Sequence, residues 1–183
     1  TGTPAASKYE GDGGPGIDRI MGLLATSAEA EQDRRTFFLA QLLFWMLRAP
    51  DGHAKNFSLS ILSGGAYALT PLYDVMSAWP VIGEAPNQLS AHKVTLAMAI
   101  RASNVHWKMK EVQRRHWLAI GRKYGVLDDI GRTVDALVEK IVKRTPFVIA
   151  SIESTLPTGF PASVSEPVLF GLQEGAIRLA SSE

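Results

Sequence analysis

The feature that most constrains the fold is the apolar run "FFLAQLLFWML", residues 37 to 47. Eleven residues without glycine or proline favour a helix, and a helix that is apolar on nearly every face is stable only when protein surrounds it. The run is shorter than the ~20 residues needed to cross a bilayer. Pro50 ends the helix soon after it, because proline cannot continue the hydrogen-bond ladder. The sequence therefore predicts a domain built around one buried helix, from about residue 34 to 48.

Composition narrows the class of protein further. The chain has 183 residues, a net charge of +1, and ordinary fractions of hydrophobic (46%) and charged (20%) residues. These values predict a single domain or one large lobe, with no overall field that would attract nucleic acid or an anionic membrane. The absence of cysteine excludes disulfides, thiolate catalysis and cysteine-based zinc sites. We expect a cytoplasmic protein without a membrane segment or signal peptide.

The order of elements predicts a mainly α fold with a short β-hairpin. Residues 1 to 16 are typical of a loop, and "FSLSI" followed by "YALT" across Ser63-Gly64-Gly65 is typical of a hairpin. A loop is predicted for 77 to 92. Helices are predicted at 17 to 26, 93 to 101, 109 to 124, 128 to 144, 146 to 154 and 165 to 180. The chain begins at Thr1 without an initiator methionine, so we expect a fragment of something larger.

The polar turn "DGHAKN", residues 51 to 56, lies between the buried helix and the hairpin. Asp51 and Asn56 are five positions apart, and Asp74 follows Asn56 by eighteen positions. Helix, Asp-x-x-x-x-Asn loop, hairpin and a further Asp form the order found in the larger lobe of protein kinases. There the first Asp orients the attacking hydroxyl and accepts its proton, while the Asn amide oxygen and the later carboxylate hold Mg²⁺.

The remaining polar residues of the turn allow more than one interpretation. His53 follows Asp51 by two positions, where a donor could face the transferring phosphoryl group. Lys55 could do the same or pair with a carboxylate. The spacing alone also fits an Asx-rich turn in which Asp51 and Asn56 satisfy backbone amides. The ordered context that ends in Asp74 favours phosphoryl transfer.

Several stretches resemble the HipA family of bacterial serine/threonine kinases, the toxins of HipBA toxin–antitoxin pairs. They are "DGHAKNFS", "LTPLYDVMSAWPV" and "HKVTLAMAI", and "KYEGDGGPGIDRIM" and "LPTGFP" extend the match over nearly the whole chain. The resemblance implies a kinase-like C-terminal lobe over residues 1 to 183, with ATP and Mg²⁺ as cofactors. It implies that Asp51 is the catalytic base and that Asn56 and Asp74 are the Mg²⁺ ligands.

The resemblance also implies partner molecules and an N-terminal lobe that we do not find in this chain. The full enzyme would be a cytoplasmic toxin that phosphorylates a protein of translation, restrained by a HipB-like DNA-binding antitoxin, so that DNA is reached only through the antitoxin. No strand lysine with its partner glutamate is found here, so we expect the N-terminal ATP-clasping lobe to be absent and this chain alone to be inactive. The alternative is a non-catalytic binding module that engages the antitoxin. The intact trio of Asp51, Asn56 and Asp74 argues against it.

The segment "GDGGPG", residues 11 to 16, matches the phosphate-loop pattern G-x-G-x-x-G. Strand patterns do not flank it, and Pro15 removes one amide donor and stiffens the backbone. We therefore predict a turn with a structural role and not a phosphate loop.

Overall fold

The computed structural model describes residues 7 to 181, which form a mainly helical fold with two small antiparallel hairpins. The predicted fold class is confirmed. Residues 1 to 6 of the predicted N-terminal loop lie outside the described residues. The helices are α1 (Ile17–Leu24), α2 (Ala30–Met46), α3 (Arg114–Lys123), α4 (Val134–Thr155) and α5 (Ala162–Ala180). The strands are β1 (Leu59–Ile61), β2 (Tyr67–Leu69), β3 (Thr95–Arg101) and β4 (Val105–Lys108).

Helix α2 occupies the centre, as its apolar run predicts. Its side chains from Phe37 onward are mostly buried, and α1, α5 and β2 pack against it. Trp45 is buried, and its indole N–H donates to the Met109 carbonyl at 2.9 Å. The large apolar side chains of this helix therefore hold together elements that lie on both sides of it in the sequence.

The first hairpin follows the polar turn, as predicted. Strands β1 and β2 pair with Ser60 opposite Ala68, and Gly64 and Gly65 both adopt positive φ at the tip. The Leu69 N–H donates to the buried carboxylate of Asp33 at 2.9 Å, which ties the hairpin to α2. The segment after the hairpin returns to the end of α2, where the Ala78 N–H donates to the Leu47 carbonyl.

The helix predicted for 93 to 101 is wrong, because this segment contains strand β3 paired with β4. A short continuous apolar run is compatible with either a buried helix or a strand covered on both faces, so periodicity alone does not separate them. Residues 96 to 100 are all buried. Helix α3 begins at Arg114 and not near 109, because a short 3-10 helix, Met109–Glu111, follows β4 and Gln113 caps α3.

The two helices predicted for 128 to 144 and 146 to 154 form one helix, α4, which begins at Val134 and not at 128 and has Pro146 inside it. Proline lacks the N–H that would bond the carbonyl four residues earlier, at a typical cost of ~3 kcal/mol. Helix α4 packs extensively on α5, and this packing along both segments offsets the lost bond. The break predicted between residues 154 and 165 is confirmed, with Gly159 at φ 83 between the helices.

Candidate functional site

The candidate site begins where α2 ends. Arg48 adopts a left-handed φ of 53° and turns the chain away from the helix axis. Gly52 then packs directly on the Phe44 ring, and a Cβ at this position would overlap that ring. Glycine is therefore required between Asp51 and His53, because the backbone passes so close to α2.

Asn56 joins two parts of the site. Its Oδ1 accepts the backbone N–H of His53 at 3.2 Å, and its Nδ2 donates to Asp74 Oδ2 at 2.7 Å. The first bond is the backbone satisfaction that an Asx-rich turn predicts. The second bond brings together two residues eighteen positions apart, as the kinase interpretation requires. Asn56 is only 2% exposed, so its orientation is set by these partners.

Asp74 is held in an uncommon backbone conformation. Its φ is 55°, a left-handed value that a non-glycine residue adopts at a typical cost of ~1–3 kcal/mol and that concentrates at functional sites. The preceding Tyr73 donates its hydroxyl to the Lys55 carbonyl at 2.8 Å and lies 2.7 Å from Ser58 Oγ. Tyr73 thus anchors the segment that carries Asp74 to the polar turn.

Asp51 contacts His53 and two residues that the sequence did not identify, Lys8 and Tyr9. The Tyr9 hydroxyl donates to Asp51 Oδ1. Lys8 Nζ lies 3.5 Å and His53 Nε2 lies 3.4 Å from the same oxygen. Lys8 and Tyr9 are more than forty positions from Asp51, so neither spacing nor composition could have linked them to it.

These contacts set the protonation of Asp51. Partial burial raises the pKa of this carboxyl, but the Tyr9 hydrogen bond and the nearby His53 and Lys8 outweigh burial and hold the pKa below its usual value. The hydrogen bond to Asp51 in turn raises the pKa of Tyr9. At neutral pH the pair is a carboxylate and a neutral phenol that donates to it.

The other two predicted site residues, His53 and Lys55, differ in their exposure to solvent. His53 is 5% exposed, with its ring edge-on to Tyr9 at a centroid distance of 5.2 Å. Its Nε2 lies 3.4 Å from Asp51 Oδ1, on the buried side of that carboxylate. Lys55 is exposed, and its ammonium has no hydrogen bond or ion pair within residues 7 to 181. Contact of His53 or Lys55 with a nucleotide stays a prediction.

The oxygen donors of Asn56 and Asp74 fit a magnesium ion that is shared with phosphates. Mg²⁺ prefers hard oxygen ligands and often binds through one or two carboxylates together with substrate phosphates and water. The 2.7 Å contact joins Asn56 Nδ2 to Asp74 Oδ2, so the two side chains lie close together. A Mg²⁺ ion held by Asn56 Oδ1 and the Asp74 carboxylate stays a prediction. Among the described residues, no group of three or more His, Asp and Glu side chains is placed to hold a metal ion.

The glycine-rich segment is a turn that supports Lys8 and Tyr9. Glu10 accepts hydrogen bonds from the Ala99 N–H at 2.7 Å and from Arg101 Nε at 2.9 Å, which clamps the segment to β3. Gly16 lies against the Glu10 carboxyl, where a Cβ would overlap it. This geometry agrees with a structural role for "GDGGPG".

Comparison with protein families covers most of the chain. The model of the HipA-like C-terminal domain matches residues 1 to 146. The chain belongs to this family. The matched residues include the polar turn, both hairpins, helix α3 and Asp74, whereas the second half of α4 and all of α5 lie beyond them.

A solved structure shares the fold of this HipA-like domain. It is HipA of Shewanella oneidensis MR-1 in a complex with HipB and operator DNA, with a TM-score of 0.73 and 21% sequence identity. The superposition covers 98% of this chain but 42% of the Shewanella chain. This chain therefore spans less than half the length of that HipA, and α4 and α5 belong to the shared fold.

None of the helices within residues 7 to 181 combines the length and the hydropathy that a membrane span requires.

Proposed function

We propose that this chain is the catalytic lobe of a HipA-type protein serine/threonine kinase, which transfers the γ-phosphate of ATP to a hydroxyl of a protein. The observation that carries the proposal is the Asn56–Asp74 contact of 2.7 Å. This contact joins the two residues whose counterparts in kinases hold the metal, and one of them, Asn56, lies in the same turn as Asp51. An Asx-rich turn without catalytic function does not require Asp74 or its strained backbone.

The chemistry assigned to the site is an in-line displacement. The acceptor hydroxyl oxygen forms a bond to the γ-phosphorus, the bond to the β,γ-bridging oxygen breaks, and ADP leaves. The hydroxyl proton passes to Asp51. When Mg²⁺ is bound, it neutralises charge on the phosphates, and Asn56 and Asp74 are the residues that would hold it. Most of the rate enhancement in such reactions comes from positioning and electrostatic stabilisation.

The chain supplies a base and metal ligands, but a kinase also needs a loop over the phosphates and a strand lysine. We assign those parts to a separate ATP-clasping lobe. Without it the triphosphate stays solvated, where an exposed charge contact contributes only ~0–1 kcal/mol. Residues 1 to 183 alone should therefore bind Mg·ATP with millimolar affinity or weaker, about −4 kcal/mol at best, and transfer no phosphate.

The wider role follows from the same family. The Shewanella HipA was solved with HipB and operator DNA, which supports a HipB-like antitoxin as the partner and contact with DNA only through that antitoxin. We propose that the toxin is cytoplasmic. The absence of cysteine is compatible with this reducing compartment, in which disulfides rarely form. A protein of translation is the proposed substrate class, by resemblance to the family.

The test compares two forms of the protein. Calorimetry with Mg·ATP and transfer of labelled phosphate would be measured on residues 1 to 183 and on the chain joined to the segment encoded upstream of Thr1. Tight binding and transfer are expected only for the longer form, and Asp51→Asn should abolish most transfer. Micromolar ATP binding by residues 1 to 183 would show that the nucleotide site is misplaced. Antitoxin binding without transfer by the longer form would favour the non-catalytic alternative.

A further inference from the structure

The groups close to Asp51 are distributed unevenly over its two carboxylate oxygens. The Tyr9 hydroxyl, Lys8 Nζ and His53 Nε2 all approach Oδ1. Among the described residues, Oδ2 accepts no hydrogen bond. The side chain is 40% exposed, so the carboxylate is open to solvent although one of its oxygens is already engaged.

Tyr9 reaches Asp51 from a rigid support. Its carbonyl accepts the Gly14 N–H at 2.9 Å, and the adjacent Glu10 is bound to β3 through Ala99 and Arg101. The Tyr9 ring packs edge-on against His53 at 5.2 Å. The phenol is therefore aimed at Oδ1 by a turn fixed on both sides.

We propose that Tyr9 is a positioning residue for phosphoryl transfer. By donating a hydrogen bond to Oδ1 of Asp51, it leaves Oδ2 as the oxygen that accepts the proton of the acceptor hydroxyl. The inference rests on the proposed function, because it gives Asp51 the role of base. Nothing in the spacing of the polar turn points to Tyr9, whose role depends on the contact between the N-terminal turn and the end of α2.

A different role for the same contact would be inhibition, with the Tyr9 phenol occupying the place of the acceptor hydroxyl. The geometry argues against it. An acceptor hydroxyl needs a carboxylate oxygen that other donors leave free, and Oδ1 already faces Lys8 and His53. Tyr9 completes the set of groups around Oδ1, and the oxygen suited to a substrate is Oδ2.

The first experiment needs no enzymatic activity. Carboxyl NMR of the 183-residue chain would follow the titration of Asp51 in the wild type and in Tyr9→Phe, which keeps the ring against His53 and removes only the donor. Loss of this hydrogen bond should raise the Asp51 midpoint. The matched control is Tyr124→Phe, since Tyr124 donates to Asp18 in the same way. It should move the midpoint of Asp18 and leave that of Asp51 unchanged.

The second experiment measures turnover in the longer protein. Tyr9→Phe should lower kcat by roughly 10- to 100-fold, the range for one hydrogen bond to a charged group, with the KM for ATP unchanged. The acid limb of its pH–rate profile should move to higher pH. Tyr124→Phe should leave kcat and the pH profile unchanged.

The results separate the proposals. An unchanged Asp51 midpoint in Tyr9→Phe would overturn the positioning role, and so would a rise in kcat, which would show that Tyr9 blocks the site. A fall in kcat without a shift of the acid limb would also overturn it, because loss of stability alone gives that pattern. If the wild-type longer protein transfers no phosphate, the proposed function fails and the positioning role fails with it, whereas the Asp51 titration still decides whether the Tyr9 contact exists.

Discussion

Two clusters in this protein combine the same three residue types, a carboxylate, a tyrosine and the lysine that precedes the tyrosine. One is Asp51 with Lys8 and Tyr9. The other is Asp18, where the Tyr124 hydroxyl donates to Oδ1 at 2.5 Å and Lys123 Nζ donates to Oδ2 at 2.9 Å. In the Asp18 cluster each carboxylate oxygen has its own donor, whereas in the Asp51 cluster the donors converge on Oδ1.

The two clusters show that residue types and solvent exposure alone do not distinguish a candidate functional site from a structural contact. The Asp51 and Asp18 side chains are 40% and 44% exposed. Burial raises the pKa of Asp18, but Tyr124 and Lys123 outweigh it, so this pKa too lies below its usual value. What distinguishes Asp51 is the oxygen left without a protein donor among the described residues, in the turn that also contains Asn56. Asp18 has both oxygens engaged and links α1 to the end of α3.

The strongest test of this difference replaces each aspartate by asparagine in the longer protein. Asp51→Asn should lower kcat by ~10²–10⁴-fold, the usual contribution of a positioned acid–base group, with ATP affinity nearly intact. Asp18→Asn should change kcat by less than about twofold, since surface substitutions remote from a site have small effects. Initial rates at saturating Mg·ATP would measure both. Near-normal turnover in Asp51→Asn would contradict the assignment of the base.

The second test concerns the metal side of the site. Asp74→Ala and Asn56→Ala should raise the Mg²⁺ concentration needed for half-maximal activity, by more than the ~10-fold that loss of an outer-shell partner typically costs. Asp74→Ala should have the larger effect, because water replaces a charged oxygen ligand poorly. Asp18→Ala removes a carboxylate from the other cluster and should leave the Mg²⁺ dependence unchanged. Overlapping titrations for Asp74→Ala and the wild type would exclude Asp74 as a ligand.

A smaller effect is expected from the tyrosine of the structural cluster. Tyr124→Phe removes the hydrogen bond to Asp18 between α3 and α1, and should lower the free energy of unfolding by ~0.5–1 kcal/mol for a bond of this exposure. In a domain of this size that corresponds to a Tm lower by about 1–4 °C. Thermal unfolding followed by circular dichroism would measure it. A Tm equal to that of the wild type would show that solvent replaces the bond without loss.

The smallest effect is a pH dependence. Because the pKa of Asp18 is lowered from 3.8 in the folded protein, its contribution to stability is fully present above the unfolded value and is lost as pH falls through the folded pKa. The difference in unfolding free energy between the wild type and Asp18→Asn should therefore be constant near neutral pH and shrink below about pH 4. Urea unfolding at several pH values would measure it. A difference that grows on acidification would have the wrong sign for this linkage.

Local patterns predicted the elements that depend on neighbouring residues. The apolar run at 37 to 47, the polar turn and the glycine-rich hairpin each carry their own signal, and all three lie where expected. Strand β3 was predicted as a helix because its apolar run is equally suited to both, and its pairing with β4 decides between them. Pro146 suggested a helix boundary, but packing of α4 on α5 continues across it.

The sequence by itself determined the spacing of Asp51, Asn56 and Asp74, which indicates the candidate chemistry, and the longer stretches around them, which indicate the family. Only the tertiary structure decided which groups face these residues. Tyr9 meets Asp51 because Glu10 holds the N-terminal turn on β3, and His53 is buried because Gly52 lets the backbone lie on Phe44. Such contacts join residues far apart in the chain, and their geometry depends on how whole elements pack. A one-dimensional pattern records the periodicity of each element but not the direction in which packing aims a side chain.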